Sequence, residues 1–234
     1  MTDIVLSGGV RSNLLNLQQT SDLITNTQTK LSTGINTIQA ANNGISAITK
    51  LVQSAQSLAS QALQTSDPTV RAGLATQFDT IRTQITQLAG DAGFNGINLL
   101  GSNNLTVVLN ESGTSSVTVT GVDDSAAGLA VAVSAGSWAT NGNINAASTD
   151  LTAALTTLRS QAQTLGSSLS TVQIRQDFTK SMINTLKSGA DSLTLADSNE
   201  EGANLLALQT RQQLATTALS LAAQSDRNVL RLFG

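Results

Sequence analysis

The side chains that usually carry acid–base, nucleophilic or metal chemistry are scarce in this sequence. Its 234 residues include no Cys, no His and no Tyr. This composition excludes zinc sites of the usual kind, thiol nucleophiles, Ser-His-Asp triads and imidazole acid–base catalysis. We therefore predict no catalytic site, no metal site and no cofactor, and we expect that the protein is not an enzyme.

One cluster of charges, formed by Asp197, Glu200 and Glu201, is the place where a metal ion could be considered. No other type of ligand stands nearby in the sequence, and carboxylates favour the N-terminus of a helix. We interpret the cluster as the start of a last helix. The arginines that follow it are equally consistent with ion pairs to another chain and with solvated charges, because exposed pairs contribute only ~0–1 kcal/mol.

Charge and hydropathy limit the partners that the chain can have. The net charge is −3 and no basic run is present, so nucleic acid is not an expected partner. The first residues, MTDIVLSGGVRSNLL, have no basic region before an apolar core, and no apolar run approaches transmembrane length. We expect neither a Sec-type signal peptide nor a membrane partner, so that an extracellular location would need another export route.

Heptad repeats at both ends of the chain predict long helices. The N-terminal stripe has apolar residues seven positions apart at Val10, Leu17, Ile24, Leu31, Ile38, Ile45, Val52 and Ala59. A turn at TSDPT, with Asp67 as N-cap and Pro68 at the first helical position, precedes a second amphipathic helix. A C-terminal seam begins at Leu151, after a cap at Thr149 or Asp150, and a last helix starts near Asn204. Between this C-terminal seam and the last helix, two glycines and the acidic cluster interrupt the heptad pattern.

The middle of the chain differs from both ends. LTVVLNESGTSSVTVTGV alternates β-branched and polar residues around a turn, which predicts a β-hairpin, and the small, Gly-rich residues that follow predict loops. The sequence therefore predicts a mainly α fold. Long coiled-coil-like helices from both chain ends would form a rod, with a small β-hairpin and loop region in the middle. Heptad seams of this kind also suit the core of a monomeric helical bundle, so the residue pattern alone leaves both arrangements open.

Three strings in this order resemble bacterial flagellin, in particular its short alphaproteobacterial type. GVRSNLLNLQQTSDLITNTQTKLSTG resembles the N-terminal helix, GFNGINLL the turn that closes the N-terminal core, and ADSNEEGANLLALQTRQQLATTALSLAAQSDRNVLRLF the terminal helix. The resemblance implies five regions. Residues 1–34 and 197–234 would form the two halves of an inner filament-core domain. Residues 35–100 and 149–196 would form an outer helical domain, and residues 101–148 a variable surface region.

The resemblance also implies a function. The chain would be a structural subunit that is exported unfolded to the flagellum, without a cleaved signal, and polymerises into a hollow helical filament for swimming. Its partners would be other copies of itself, the flagellar export apparatus and an export chaperone, and the filament cap and hook-junction proteins. The alternative is a cell-surface flagellin homologue that acts as an adhesin or binds polysaccharide. The implied assembly interface comprises apolar residues of both ends: Val10, Leu14, Leu17, Ile24, Leu31, Leu205, Leu208, Ala215, Leu219, Ala222, Val229 and Phe233.

The stretch LSTGINTIQAANNGIS departs from the family pattern. In flagellins the Leu-Ser-Thr-Gly signature is followed by a spoke-like segment and a first core helix, whereas Gly34 here runs directly into Ile35. The heptad count predicts one unbroken helix, but the resemblance predicts a junction of two helices that run in different directions. We interpret the stretch as a junction, caused by a deletion, natural or engineered, or by an omission from the printed sequence.

The mass of the protein separates these two explanations. A deletion predicts an intact mass of 24.0 kDa for the protein isolated from its source, which electrospray mass spectrometry measures directly. An intact mass that exceeds 24.0 kDa by the mass of a few dozen residues would contradict the deletion and favour the omission.

Overall fold

The computed structural model of the chain describes residues 8–233, without the side chains of 197, 226 and 228–233. The elements in chain order are α1 (Gly8–Leu63), α2 (Pro68–Asp91), β1 (Leu105–Val108), β2 (Ser116–Val119) and α3 (Asn141–Phe233). A short 3-10 turn at Ala135–Trp138 precedes α3. The prediction of a mainly α fold with a small hairpin in the middle is confirmed.

The chain divides into two compact units, which we call the terminal unit and the central unit. The terminal unit comprises Met1–Asp22 and Met182–Gly234, and the central unit comprises Leu23–Ser181. Both α1 and α3 contribute one segment to each unit.

Within the central unit, α1 and α3 run antiparallel in a constant register. The Gln176 side chain donates to the Ser32 hydroxyl at 2.8 Å, and the Gln56 side chain donates to the Thr152 hydroxyl at 3.5 Å. An advance of 24 residues along α1 therefore matches a retreat of 24 residues along α3. The heptad residues from Leu31 to Ala59 are buried along this contact, as the N-terminal stripe predicts.

Threonines extend the buried seam without leaving polar groups unpaired. Thr27, Thr37 and Thr179 are buried, and the hydroxyl of each donates to the carbonyl four residues earlier in its own helix. A buried hydroxyl without a hydrogen bond would cost about 1–3 kcal/mol. These hydrogen bonds within each helix explain how a seam that alternates apolar and polar residues packs as a core.

Arg71 joins the ends of the three helices in the central unit. Its Nε donates to the carbonyl of Ala62, in the last turn of α1, and to that of Thr65, two residues after the helix ends. Its other guanidinium nitrogens reach the Ala139 carbonyl and the Asn141 side chain, where α3 begins. A positive charge is favourable at a helix C-terminus, whose last carbonyls lack partners within the helix.

The α2 helix begins and ends at side-chain caps. Asp67 accepts hydrogen bonds from the backbone N–H groups of Thr69 and Val70, which confirms the predicted N-cap with Pro68 in the first turn. At the other end, the Asn98 amide donates to the carbonyls of Ala89 and Gly90 at 2.7 and 2.9 Å. The loop after α2 is thereby fixed against the helix end.

The hairpin packs on α1 through one face. β1 and β2 pair antiparallel with Leu105 opposite Val119 and Val107 opposite Val117, and Leu105, Val107 and Val119 are buried. A Cβ built at Gly34 would lie 2.7 Å from a methyl carbon of Val107. Gly34 therefore permits close contact between the helix and the hairpin.

Two expectations about α1 and α3 are wrong. The expected change of direction after Gly34 does not occur, because α1 continues through Gly34 and Ile35 to Leu63. Leu31 and Ile38, one heptad apart on either side of Gly34, are both fully buried, so the two parts of the helix share one packed face. The expected interruption between 187 and 204 is also absent, since α3 is helical throughout this range and Asp197, Glu200 and Glu201 start no new helix.

The start of α3 also differs from the expectation. The helix begins at Asn141, where the Thr140 hydroxyl accepts from the Asn143 N–H, and Thr149 lies inside the helix rather than at its cap. Ile144 and Ala147 are buried, so tertiary packing extends the seam into residues whose Asn and Gly content is typical of a loop.

Two glycine substitutions test the helix packing. We expect Gly44→Ala to lower the free energy of unfolding by about 1–3 kcal/mol, because its Cβ would lie 2.7 Å from Ala92 Cβ and 2.6 Å from Leu100 Cδ1. The control, Gly73→Ala in α2, meets no atom within 4 Å and should stabilise the protein by up to about 1 kcal/mol. Urea unfolding followed by circular dichroism measures both. Equal stabilisation by the two substitutions would contradict the close packing at Gly44.

Candidate assembly surface

The N-terminal segment of the terminal unit is half-buried along one stripe. Val10, Leu14 and Leu17 have intermediate exposure, whereas most residues between them are exposed. These are the first three residues that the sequence assigned to an assembly interface. Their spacing places them on one face of α1.

The α3 segment of the terminal unit changes its exposure along its length. Between 182 and 201, side chains of intermediate exposure recur at helical spacing, including Ile183, Leu186, Ala190 and Leu193. From 202 to 225, every residue is exposed. No described residue of the chain therefore covers the last part of α3.

This uncovered segment carries the predicted interface leucines. Leu205 is 39% exposed, Leu208 61% and Leu219 76%, and Ala215 and Ala222 are exposed on the same face. A helix whose apolar face is exposed to water gains no burial energy from that face.

A second apolar stripe on the same segment was missed by the sequence reasoning. Leu214 and Leu221 are 65% and 67% exposed, and together with Ala207 they stand seven residues apart. At 100° per residue, this stripe lies roughly 120° around the helix from the first. The heptad spacing of Ala207, Leu214 and Leu221 is the sequence signal that predicts this stripe. The terminal part of α3 thus presents two apolar faces.

The remaining predicted interface residues lie elsewhere. Ile24 and Leu31 belong to the central unit, where they are 5% and 0% exposed, so the chain itself already covers them. The side chains of Val229 and Phe233 lie outside the described residues.

The described residues show neither a membrane span nor a metal centre. None of the helices in this part of the chain combines the length and apolar character that a membrane crossing requires. Across the same residues, no three acidic, histidine or cysteine side chains come together as metal ligands.

Comparison with known families matches both helical parts of the chain. The family model of the bacterial flagellin N-terminal helical region matches residues 11–105, and that of the C-terminal helical region matches residues 142–233. The matches include nearly all of α1 and α3 and the whole of α2, and they leave most of the hairpin and loop region between them.

Individual relatives give the same result. Flagellin FljM of Caulobacter vibrioides is 30% identical over 230 residues, which are 97% of this chain and 84% of FljM. Flagellin A of Rhizobium meliloti is 44% identical over 92 residues, which are 39% of this chain and only 23% of that longer protein. The crystal structure of Bacillus cereus flagellin has the same fold, with a TM-score of 0.54 and 18% identity over 66% of this chain and 88% of that one.

The helical fold and the paired family matches define a structural subunit of a self-assembling polymer. The chain belongs to the bacterial flagellin family. It is a subunit of the flagellar filament, an extracellular polymer of many copies, and its relatives are structural proteins rather than enzymes. The adhesin alternative is not supported. Part of FljM has no counterpart in this chain, in keeping with a short flagellin, and the position of the missing segment at Gly34 stays a prediction.

Proposed function

We propose that the chain polymerises through the apolar stripes of its terminal helices. The observation that carries this proposal is the exposure of every residue from 202 to 225, although the segment contains six leucines. Burying a leucine side chain stabilises a complex by about 1.5–3 kcal/mol, so the segment gains its stability when neighbouring copies cover it. The surface comprises these residues: Val10, Leu14, Leu17, Leu205, Leu208, Ala215, Leu219 and Ala222, extended by Leu214, Leu221, Val229 and Phe233.

The proposed domain division follows from membership of the flagellin family, and its bounds differ from those of the two compact units. Residues 1–34 and 197–234 serve the inner filament core, residues 35–100 and 149–196 the outer helical domain, and residues 101–148 the variable surface. Ile24 and Leu31 act within this scheme by anchoring α1 in the core of the central unit, because both are buried there. They support the assembly surface without belonging to its exposed part.

The other partners follow from membership of the flagellin family. We propose that the chain leaves the cell unfolded through the flagellar export apparatus, with an export chaperone and without a cleaved signal. It then meets the filament cap and the hook-junction proteins and serves swimming motility. The absence of Cys and the scarcity of aromatic residues, 2% of the chain, support passage of an unfolded chain, since neither disulfides nor bulky clusters form on the way. Catalysis, nucleic-acid binding and membrane insertion have no part in this function.

Substitution of the exposed leucines tests the assembly surface. We expect Leu208→Gln together with Leu219→Gln to raise the critical concentration for polymerisation at least about tenfold, because a loss of 1.4 kcal/mol per subunit corresponds to a factor of ten. The measurement is sedimentation of seeded filaments, with electron microscopy of the pellet.

A matched control distinguishes assembly from general solubility. Val133, which is 60% exposed in the central unit, is as accessible as Leu208, and Val133→Gln should leave the critical concentration unchanged. The thermal unfolding of the unassembled double variant should match that of the parent chain. Normal polymerisation of the double variant would overturn the proposed surface.

A further inference from the structure

Three Asn-Gly pairs stand in the sequence, at residues 43–44, 95–96 and 141–142. In such a pair the backbone nitrogen of the glycine can attack the side-chain carbonyl carbon of the asparagine, because glycine has no Cβ to obstruct the approach. The attack requires a glycine N–H group that is free of other partners, rotation of the asparagine backbone, and a side chain that no other group holds. The fold meets these requirements to different degrees at the three pairs.

The pair Asn43–Gly44 is protected inside α1. Both residues lie in the middle of this helix, so the Gly44 N–H group donates to the carbonyl four residues earlier. Gly44 is also buried, and a Cβ built there would meet the side chains of Leu100 and Ala92. An attack by the Gly44 nitrogen therefore requires the local opening of a packed helix.

The pair Asn141–Gly142 is held by a hydrogen bond at the start of α3. The Gly142 N–H group lies in the first turn, where the helix itself offers no acceptor. The side-chain oxygen of Asn141, however, accepts a hydrogen bond from the Arg71 guanidinium group. The Asn141 amide must leave Arg71, and the first turn of α3 must open, before the Gly142 nitrogen can reach it.

The pair Asn95–Gly96 occupies an exposed two-residue turn. Phe94 and Ile97 exchange both backbone hydrogen bonds, at 2.9 and 3.0 Å, and the two residues between them have φ angles of 50° and 80°. Positive φ at both central residues is characteristic of a type I′ turn, in which Asn-Gly is a preferred pair. Both Asn95 and Gly96 are exposed to solvent.

Nothing in the described part of the chain holds the reacting groups of this turn. Among these residues, neither the Asn95 side chain nor the Gly96 N–H group has a hydrogen-bond partner. Apart from the adjoining residues, no atom lies within 4 Å of a Cβ built at Gly96. Rotation of the Asn95 backbone therefore breaks at most the two hydrogen bonds between Phe94 and Ile97.

We propose that Asn95 is a site of spontaneous deamidation, selected by the fold from the three Asn-Gly pairs. The Gly96 nitrogen loses its proton to hydroxide and forms a bond to the Asn95 side-chain carbon. The bond from this carbon to the side-chain nitrogen breaks, and the nitrogen takes a proton from water and leaves as ammonia. Water then opens the five-membered succinimide ring at one of its two C–N bonds, which gives aspartate or isoaspartate.

The product accumulates with the age of the chain, because hydrolysis of the ring yields a carboxylate and does not restore the amide. Both products add a negative charge to the turn, and isoaspartate also lengthens the main chain by one CH₂ group. This proposal goes beyond filament formation, and it does not depend on the assembly surface.

The turn is connected to residues that fix the end of α2. The Asn98 amide, two residues after Gly96, donates to the carbonyls of Ala89 and Gly90. Leu99 and Leu100, which follow, are buried in the core. Because a two-residue turn has no spare length, we expect isoaspartate at position 95 to loosen the attachment of this loop to α2.

Incubation of the unassembled full-length chain at pH 8 and 37 °C tests the choice of site. Cleavage before each aspartate places Asn43, Asn95 and Asn141 in separate peptides, 22–66, 91–122 and 124–149, in which tandem mass spectrometry measures the loss of amide. We expect Asn95 to react at least about tenfold faster than Asn43, which reacts only in the fraction of molecules whose helix has opened. Equal rates at these two sites, or the fastest loss at Asn141, would overturn the proposal.

The same incubation in urea separates the effect of the fold from that of the sequence. In the unfolded chain, which circular dichroism verifies, the three sites should react at similar rates, because each asparagine precedes a glycine. An advantage of Asn95 that has the same size in urea as in buffer would contradict selection by the fold.

Two matched substitutions test the assignment in the folded chain. Asn95→Gln can form only a less favourable six-membered ring, so most of the isoaspartate that accumulates in the parent chain should disappear. The control Asn43→Gln changes an exposed asparagine of α1 and should leave the amount unchanged. Methylation by a protein isoaspartate methyltransferase measures both variants. Isoaspartate formation at the parental rate in the Asn95→Gln chain would show that the site lies elsewhere.

Hydrogen exchange measures the effect of the modification on the loop. The Ile97 amide donates to the Phe94 carbonyl, and the Leu100 amide donates to the Asn98 side chain. Both amides should exchange faster in the deamidated chain, separated by anion exchange, than in the fresh chain, whereas the amide of Ile85 within α2 should not change. Equal exchange of Ile97 and Leu100 in the two forms would contradict the loosening of the loop.

Discussion

The structure depends on one constraint: its helices carry narrow apolar seams that a single helix cannot bury. Small aliphatic residues and back-bonded threonines allow two helices to approach closely, but each seam needs a partner of matching length. In the central unit, α1 and α3 provide that partner for each other in a constant antiparallel register, and α2 and the hairpin cover the rest. Arg71 and Asn98 then fix the helix ends, where backbone carbonyls would otherwise lack hydrogen bonds.

Among the described residues, no partner covers the apolar seams at the end of α3. Partial burial stops at Glu201, and both apolar stripes beyond it are exposed. A helix with two uncovered faces about 120° apart suits contact with two neighbours at once, which a tube of packed helices provides and a simple pair does not. One chain therefore combines a central unit that covers its own core with a helical segment whose apolar stripes no described residue covers.

Much of this organisation could be predicted from the sequence, because heptad spacing and turn residues act locally. The Asp67 cap, the hairpin and the buried heptad positions from Leu31 to Ala59 are examples. The start of α3 could not be predicted from the sequence, since long-range packing of Ile144 overrides the loop character of its Asn and Gly neighbours.

The continuity of α1 through Gly34 is compatible with the predicted loss of a segment at this position. A helix that loses a segment keeps its packed face only if the two remaining parts rejoin in phase, which a loss close to a multiple of seven residues achieves. Leu31 and Ile38 satisfy this condition, since both are fully buried in the same seam. Gly34 then has a structural role of its own, because the absence of a Cβ admits Val107 of the hairpin. A junction in sequence and an unbroken helix in structure are therefore compatible, provided that the phase is conserved.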